Sequence, residues 1–225
     1  DVSLRGLPRL LDRNWLSLFD YDEARSLAEL LEGALRAGLL RYLRRGEVVR
    51  GVEMYGPDFF FLPNRYWSVE GWDGGSLVVR RGGQALRIPG RYLVPCLRRP
   101  EHYGDRVVVD DPGFYALAVP PGEPLEGDLR AYVEWGLSSG AASPAARAFG
   151  SGWLSHIWRQ LRAKEPFGHV FIRDKLDLAR HRVLAYYSPR PLCATKDFYI
   201  IRDDNPLVAA WLNSKIMRRV MELFG

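Results

Sequence analysis

The chain is expected to fold as an α+β module: a mixed or antiparallel sheet with an N-terminal linker helix and a C-terminal helix packed on the sheet. Three observations carry this. Apolar residues recur at helical spacing between Tyr21 and Arg45, the pattern switches to short strand-like runs from Val48 to about Pro120, and strand candidates near the end precede a last apolar helix. At 225 residues the chain is long enough to bury a real core, and 47% hydrophobic with 26% charged residues is an ordinary balance for a folded protein.

In order, the first helix is read over Tyr21 to Arg45, with Ala24, Leu27, Leu30, Leu31, Ala34, Leu35, Leu39 and Tyr42 recurring at helical spacing and Gly46 as its stop. Residues 1–46 form the helical linker of this reading, and 47–225 the sheet-centred domain. Strand candidates follow at 48–55, 58–63, 66–72, 76–81, 84–89, 106–111 and 114–120, with hairpin turns at Gly74-Gly75 and Gly82-Gly83. Strand alternation predicts at least one of Phe59, Phe60 and Phe61 buried and one more exposed. Residues 91–104 are expected to be irregular. Helices are predicted over Asp128–Leu137 and Trp153–Lys164, with a small-residue loop over Ser138–Ala146 between them. Strands at 169–176, 182–188 and 197–202 then lead to one helix from about Asn205 to Phe224.

Charge narrows the function classes only slightly. A net charge of +5 leans toward a polyanionic partner. Lys164, Lys175, Lys196 and Lys215 are the only lysines; the arginine excess reflects either base composition or the fit of guanidinium to phosphate and guanine. Many prolines with few Met and Cys suit a heat-stable protein. Cys96 and Cys193 stand alone and are expected as buried thiols rather than a disulfide. No run approaches 18 apolar residues and no signal peptide opens the chain, so a cytoplasmic location and no membrane are expected. Asp1 in place of Met suggests an excised or processed piece.

Between His156 and Lys196 nine cations stand against Glu165, Asp174 and Asp177, an excess larger than that of the whole chain. Trp158, Phe167, Phe171, Tyr186 and Tyr187 are interleaved with them. This is either a DNA-contacting surface or a solvated face over core aromatics. Alternation puts Val170, Ile172 and Asp174 on one face and Phe171, Arg173 and Lys175 on the other, where two cations could track a phosphate backbone. Arg50, Arg65 and Arg80 are the next choice of basic strip.

Other motifs carry no chemistry. Asp110-Asp111-Pro112-Gly113-Phe114-Tyr115 reads as a turn between strands, because a second proline and a glycine-rich strand–loop for a methyl donor are both missing. The four histidines lack metal-ligand spacing. Asn213 and Ser214, on an apolar helix, are expected to bond nearby backbone.

The ordered set Arg50-Gly51, Phe59-Phe60-Phe61, Ile88-Pro89 to Leu93-Val94-Pro95, Phe114 to Val119, Tyr132-Val133, Trp158 and then Thr195-Lys196-Asp197-Phe198-Tyr199-Ile200-Ile201 with Leu212-Asn213-Ser214-Lys215 resembles the DNA-recognition region of TaqI-like N6-adenine DNA methyltransferases, also found in fused methylase–nuclease enzymes. Trp15 and the first helix would be the linker from a catalytic domain. Met54-Tyr55-Gly56-Pro57-Asp58 departs from the family's Thr-Gly-x-Asn. The resemblance implies a module that reads double-stranded DNA for an N-terminal methyltransferase domain. S-adenosylmethionine would be the cofactor of that parent enzyme, with no cofactor and no catalytic residue in this chain. The DNA-contacting residues expected are Arg50, Arg159, Arg162, Lys164, Arg173, Lys175, Arg180, Arg182, Tyr187 and Lys196. The alternative is a protein- or RNA-interaction module of a restriction or defence complex.

Overall fold

A computed structural model describes residues 21–224, so expectations placed on residues 1–20, Trp15 among them, lie outside it. The chain runs α1 (Tyr21–Arg36), β1 (Val48–Arg50), α2 (Pro57–Phe60), β2 (Phe61–Leu62), β3 (Ser68–Asp73), β4 (Ser76–Arg81), β5 (Gln84–Pro89), β6 (Leu93–Leu97) and β7 (Tyr115–Leu117). Then come α3 (Gly127–Ser138), α4 (Ser143–Phe149), α5 (His156–Lys164), β8 (Phe167–Arg173), β9 (Ala185–Ala194), β10 (Phe198–Ile201), α6 (Pro206–Leu212) and α7 (Lys215–Phe224). The fold is α+β, as the periodicity predicts.

The larger sheet has the order β1-β10-β8-β9-β6-β7-β2, antiparallel throughout except where β6 lies parallel to β9. β3, β4 and β5 form a separate antiparallel meander whose two-residue loops are Gly74-Gly75 and Gly82-Gly83. Leu77, Val79, Leu86 and Ile88 of the meander join Phe59, Phe60, Phe61, Trp67, Tyr132 and Trp135 in the main core. Farther along the large sheet, Phe171, Phe198, Ile200 and Tyr186 are covered on one face by Tyr103 and Val109. On the opposite face Val170, Ala185 and Ile201 pack under Ala209 and Leu212 of α6. α1 reaches α7, where Ala24 and Leu27 meet Leu223 and Phe224, and Glu23 pairs with Arg219.

α1 stops at Arg36, nine residues before the expected end. Gly38, at φ 71, donates to the Leu35 carbonyl while the Leu39 amide donates to that of Ala34, closing the helix in a Schellman turn. Leu39 and Tyr42, expected in the helix's apolar pattern, are therefore exposed.

Residues 58–63 are not one strand. Pro57–Phe60 makes a helical turn and only Phe61-Leu62 is extended, and all three phenylalanines are fully buried, contrary to the predicted alternation. A helical turn fans successive side chains instead of alternating them. Phe59 meets Tyr132 at 5.1 Å, Phe60 meets His156 at 4.4 Å and Phe61 meets Phe114 at 6.2 Å, so core lies in all three directions.

Four further boundaries differ. Residues 93–97, expected to be irregular, form β6; the proline in this short run weakens its strand signal. Residues 106–111 make only one bridge, Val108 to Tyr187. The small-residue loop contains α4, which begins at Ser143 with Pro144 in its first turn. The last helix is broken into α6 and α7 at Asn213-Ser214.

That break explains the Leu-Asn-Ser-Lys sequence. The Asn213 carbonyl oxygen accepts from the Leu184 and Ala185 amides at 2.8 and 3.2 Å, and its amide donates to the Ala185 and Ala209 carbonyls at 2.7 and 2.9 Å. Ser214 Oγ accepts from the Met217 amide at 3.1 Å, opening α7. Both side chains bond backbone, as expected. At Arg50-Gly51 the chain makes a close approach: a Cβ on Gly51 would lie 2.1 Å from the Thr195 carbonyl oxygen.

Candidate nucleic-acid interface

Nine of the ten expected contact residues fall into three places, with Lys164 shared by two of them, and the tenth, Arg173, is buried. Arg50, Lys164 and Lys196 converge around Glu53, because the chain after β1 lies between the β9–β10 turn and α5. Glu53 exchanges two backbone bonds with the Gln160 side chain, at 2.9 and 2.8 Å, and Lys164 Nζ donates to Gln160 at 3.3 Å. Lys196 Nζ pairs with the Glu53 carboxylate at 2.8 Å, a bond that holds the Glu53 pKa below and the Lys196 pKa above their ordinary values. Arg50 lies 5.8 Å from the Tyr199 ring centre and pairs with Asp174 at 2.9 Å. Two of these three cations are thus already matched by a carboxylate.

The second place is the β8–β9 connection. Arg180 and Arg182 are strongly exposed and lie 3.4 Å from Asp177 and 3.8 Å from Asp105. Arg218 of α7 pins this loop from below by donating to the carbonyls of Leu178, His181 and Arg182. Lys175 lies beyond the end of β8 and is exposed. Tyr187 is half-buried, its hydroxyl donating to the Asp204 carbonyl at 3.1 Å.

Arg173 does not belong to that surface. Its side chain is 7% exposed, donates from Nε to the Val183 carbonyl at 3.1 Å and from Nη2 to the Tyr186 hydroxyl, and lies 3.9 Å from Glu101. The predicted alternation is present, with Arg173 on the Phe171 side, but Tyr103 and Val109 cover that face. A two-residue period fixes which face a side chain takes, not what lies over it.

The third place is α5. Arg159, Arg162 and Lys164 are exposed, and none of them pairs with a carboxylate among the described residues. Ile157 and Leu161 anchor this helix in the main core, Arg159 and Arg162 point away from them, and Lys164, seven residues after Ile157, lies on the side of Gln160 and Glu53. Beside it opens a cleft of about 540 Å³. Its floor is Val94, Ala118, Trp158, Leu161 and Phe167, and Arg91, Arg162, Arg202 and Glu165 stand around it. Arg202 donates to the carbonyls of Lys164 and Glu165, each at 3.1 Å, which caps the C-terminal end of α5. Arg91 and Arg202 escaped the sequence reading because they come from a turn before β6 and from the end of β10, both outside the basic run.

The fallback strip of Arg50, Arg65 and Arg80 is matched by acid at each position: Asp174, Asp58 at 3.6 Å and Glu70. Among the described residues no three His, Cys, Asp or Glu side chains gather as a metal site would need, and no helix is long and apolar enough to cross a membrane. Comparison with family models, curated proteins and solved structures finds no match.

Proposed function

We propose that this chain is the DNA-reading module of an N6-adenine-specific DNA methyltransferase of a restriction–modification system. It would hold duplex DNA for a separate catalytic domain that uses S-adenosylmethionine. The observation that carries the DNA contact is the exposed cation set Arg159, Arg162 and Lys164 on one short, core-anchored helix, none of them in an ion pair among the described residues, since the Glu53 carboxylate near Lys164 is taken by Lys196. Cations already paired in the folded protein gain little from a phosphate, since a new pair must break an old one. Unpaired ones release counterions from DNA at no such cost. The ordered resemblance along the chain supports the choice of parent enzyme, and the methyl-donor machinery is assigned to the partner domain.

The test is binding of a fluorescent duplex to the wild type and to Arg159→Gln/Arg162→Gln/Lys164→Gln at about 0.1 M salt. We expect the triple variant to bind at least tenfold more weakly, for specific and random sequences alike, because phosphate contacts position without reading. Equal affinity in a variant that melts like the wild type would move the DNA surface away from α5.

A further inference from the structure

The cleft beside α5 has a mixed chemistry that duplex phosphates alone do not use. Two aromatic rings, Trp158 and Phe167, lie in an otherwise aliphatic floor, and three guanidiniums stand above them. Two of the guanidiniums are held in place by bonds within the protein. Arg91 donates to the Tyr92 hydroxyl at 2.6 Å and pairs with Glu123 at 3.5 Å, and Arg202 donates to two backbone carbonyls. The Arg202 bonds fix direction without cancelling charge, so part of the ordering cost of an anion site is met there before a ligand arrives. Arg162 lies 5.9 Å from the Trp158 ring centre and completes the rim.

At the mouth, Glu165 closes α5 in the left-handed conformation, φ 45°, its amide donating to the Leu161 carbonyl at 3.0 Å, and its carboxylate is the one acid lining the cleft. A planar aromatic group would find its faces against the floor, and a phosphate joined to it would meet the rim. A volume of about 540 Å³ is within the range of small-ligand sites.

We propose that this cleft receives a single unpaired nucleotide of the bound DNA, its base over Trp158 and Phe167 and its phosphate against Arg162 and Arg202. The proposal rests on the DNA-binding reading above. A base leaves the stack most readily where it has no partner, so an unpaired nucleotide is the form the cleft selects.

The test compares a fully paired duplex with the same duplex carrying one bulged adenosine, for the wild type, Trp158→Leu, Trp158→Phe and Arg159→Gln. The bulged duplex should bind at least tenfold more tightly to the wild type. Trp158→Leu keeps apolar bulk but no aromatic plane, and should abolish the preference while paired-duplex affinity stays within twofold. Trp158→Phe should retain most of the preference, and Arg159→Gln should weaken both duplexes equally. Equal wild-type affinity for the two duplexes overturns the cleft assignment and leaves the DNA reading intact, as does a preference that survives in a Trp158→Leu protein melting like the wild type. If neither duplex binds, the DNA reading itself fails. A titration with 5′-deoxyadenosine monophosphate, followed at the indole N–H resonance that Trp158→Phe removes, then reports on the cleft. Saturable binding there would overturn the strand as the source and assign the cleft to a free nucleotide; no shift would overturn the site altogether.

Discussion

Arg173 and His156 are buried polar side chains whose neighbours decide what they do. Arg173 belongs to the basic run in sequence, yet its guanidinium ties β8 to the Val183 carbonyl and the Tyr186 hydroxyl under the segment that bears Tyr103. Removing it leaves those acceptors buried without a donor. Arg173→Ala should therefore cost about 3 kcal/mol in denaturant unfolding. The salt dependence of DNA binding by the folded fraction should not change, whereas a phosphate contact would show the reverse pattern. His156 accepts no partner at Nε2, its Nδ1 lies 3.0 Å from the Trp153 carbonyl, and Phe149 stacks on it at 4.9 Å. Burial pushes its pKa below the ordinary histidine value of 6.5, against the pull of the Trp153 and Glu53 backbone. The unfolded chain then takes up a proton that the folded chain refuses. This stability is complete above the ordinary value and is lost as pH falls through the folded one. His102, lowered by burial and by Arg98 and Arg99, acts in the same direction. The melting temperature should drop between about pH 7.5 and about pH 5.5, and the drop should be shallower in His156→Phe; an unchanged slope would remove His156 as its source.

At the scale of elements, the short C-terminal helices show how much a local motif can specify. Asn213 ends α6 with a bond to the Ala209 carbonyl and holds the 184–185 segment through three further hydrogen bonds, so the helix pair and the sheet share one side chain. Asn213→Ala should cost about 2–3 kcal/mol, and Asn213→Asp should cost comparably, because a carboxylate cannot donate to the Ala185 and Ala209 carbonyls. Full stability in either variant would mean that the apolar contacts of Ala209 and Leu212 suffice. The hairpins at Gly74-Gly75 and Gly82-Gly83, the helix α3 and the backbone role of Asn213 were all legible, since each depends on near neighbours in the chain. The Phe59-Phe60-Phe61 turn was not, because its burial on several sides depends on α3, on Trp153 and on Phe114, which lie elsewhere in sequence. β6 was missed for a related reason: it is fixed by parallel pairing of Cys96 and Leu97 with Cys193 and Ala194, almost a hundred residues away.

Across the whole molecule, positive charge is abundant, but the fold matches much of it with acid. The sequence run from His156 to Lys196 splits into a buried arginine, a loop whose arginines face Asp105 and Asp177, a lysine paired with Glu53, an arginine bonded to the Asp110 carbonyl, the exposed Lys175 beyond β8, and the three cations of α5. Lys175 and the α5 set were named from sequence and left without an ion pair by the fold, and only α5 gathers three such cations on one element. Arg91 and Arg202, which complete the cleft, were invisible because a chain-local charge count cannot see which strand ends meet a helix. The most direct measurement is the affinity of the wild-type protein for a duplex of about 20 base pairs, read as salt is raised from about 50 to 300 mM. Three phosphate contacts from Arg159, Arg162 and Lys164 predict that log K falls linearly against log salt with a slope near −2.7 or steeper, and that the triple glutamine variant loses about that much slope. Salt-independent binding, or an unchanged slope in a folded triple variant, would contradict phosphate contact by α5.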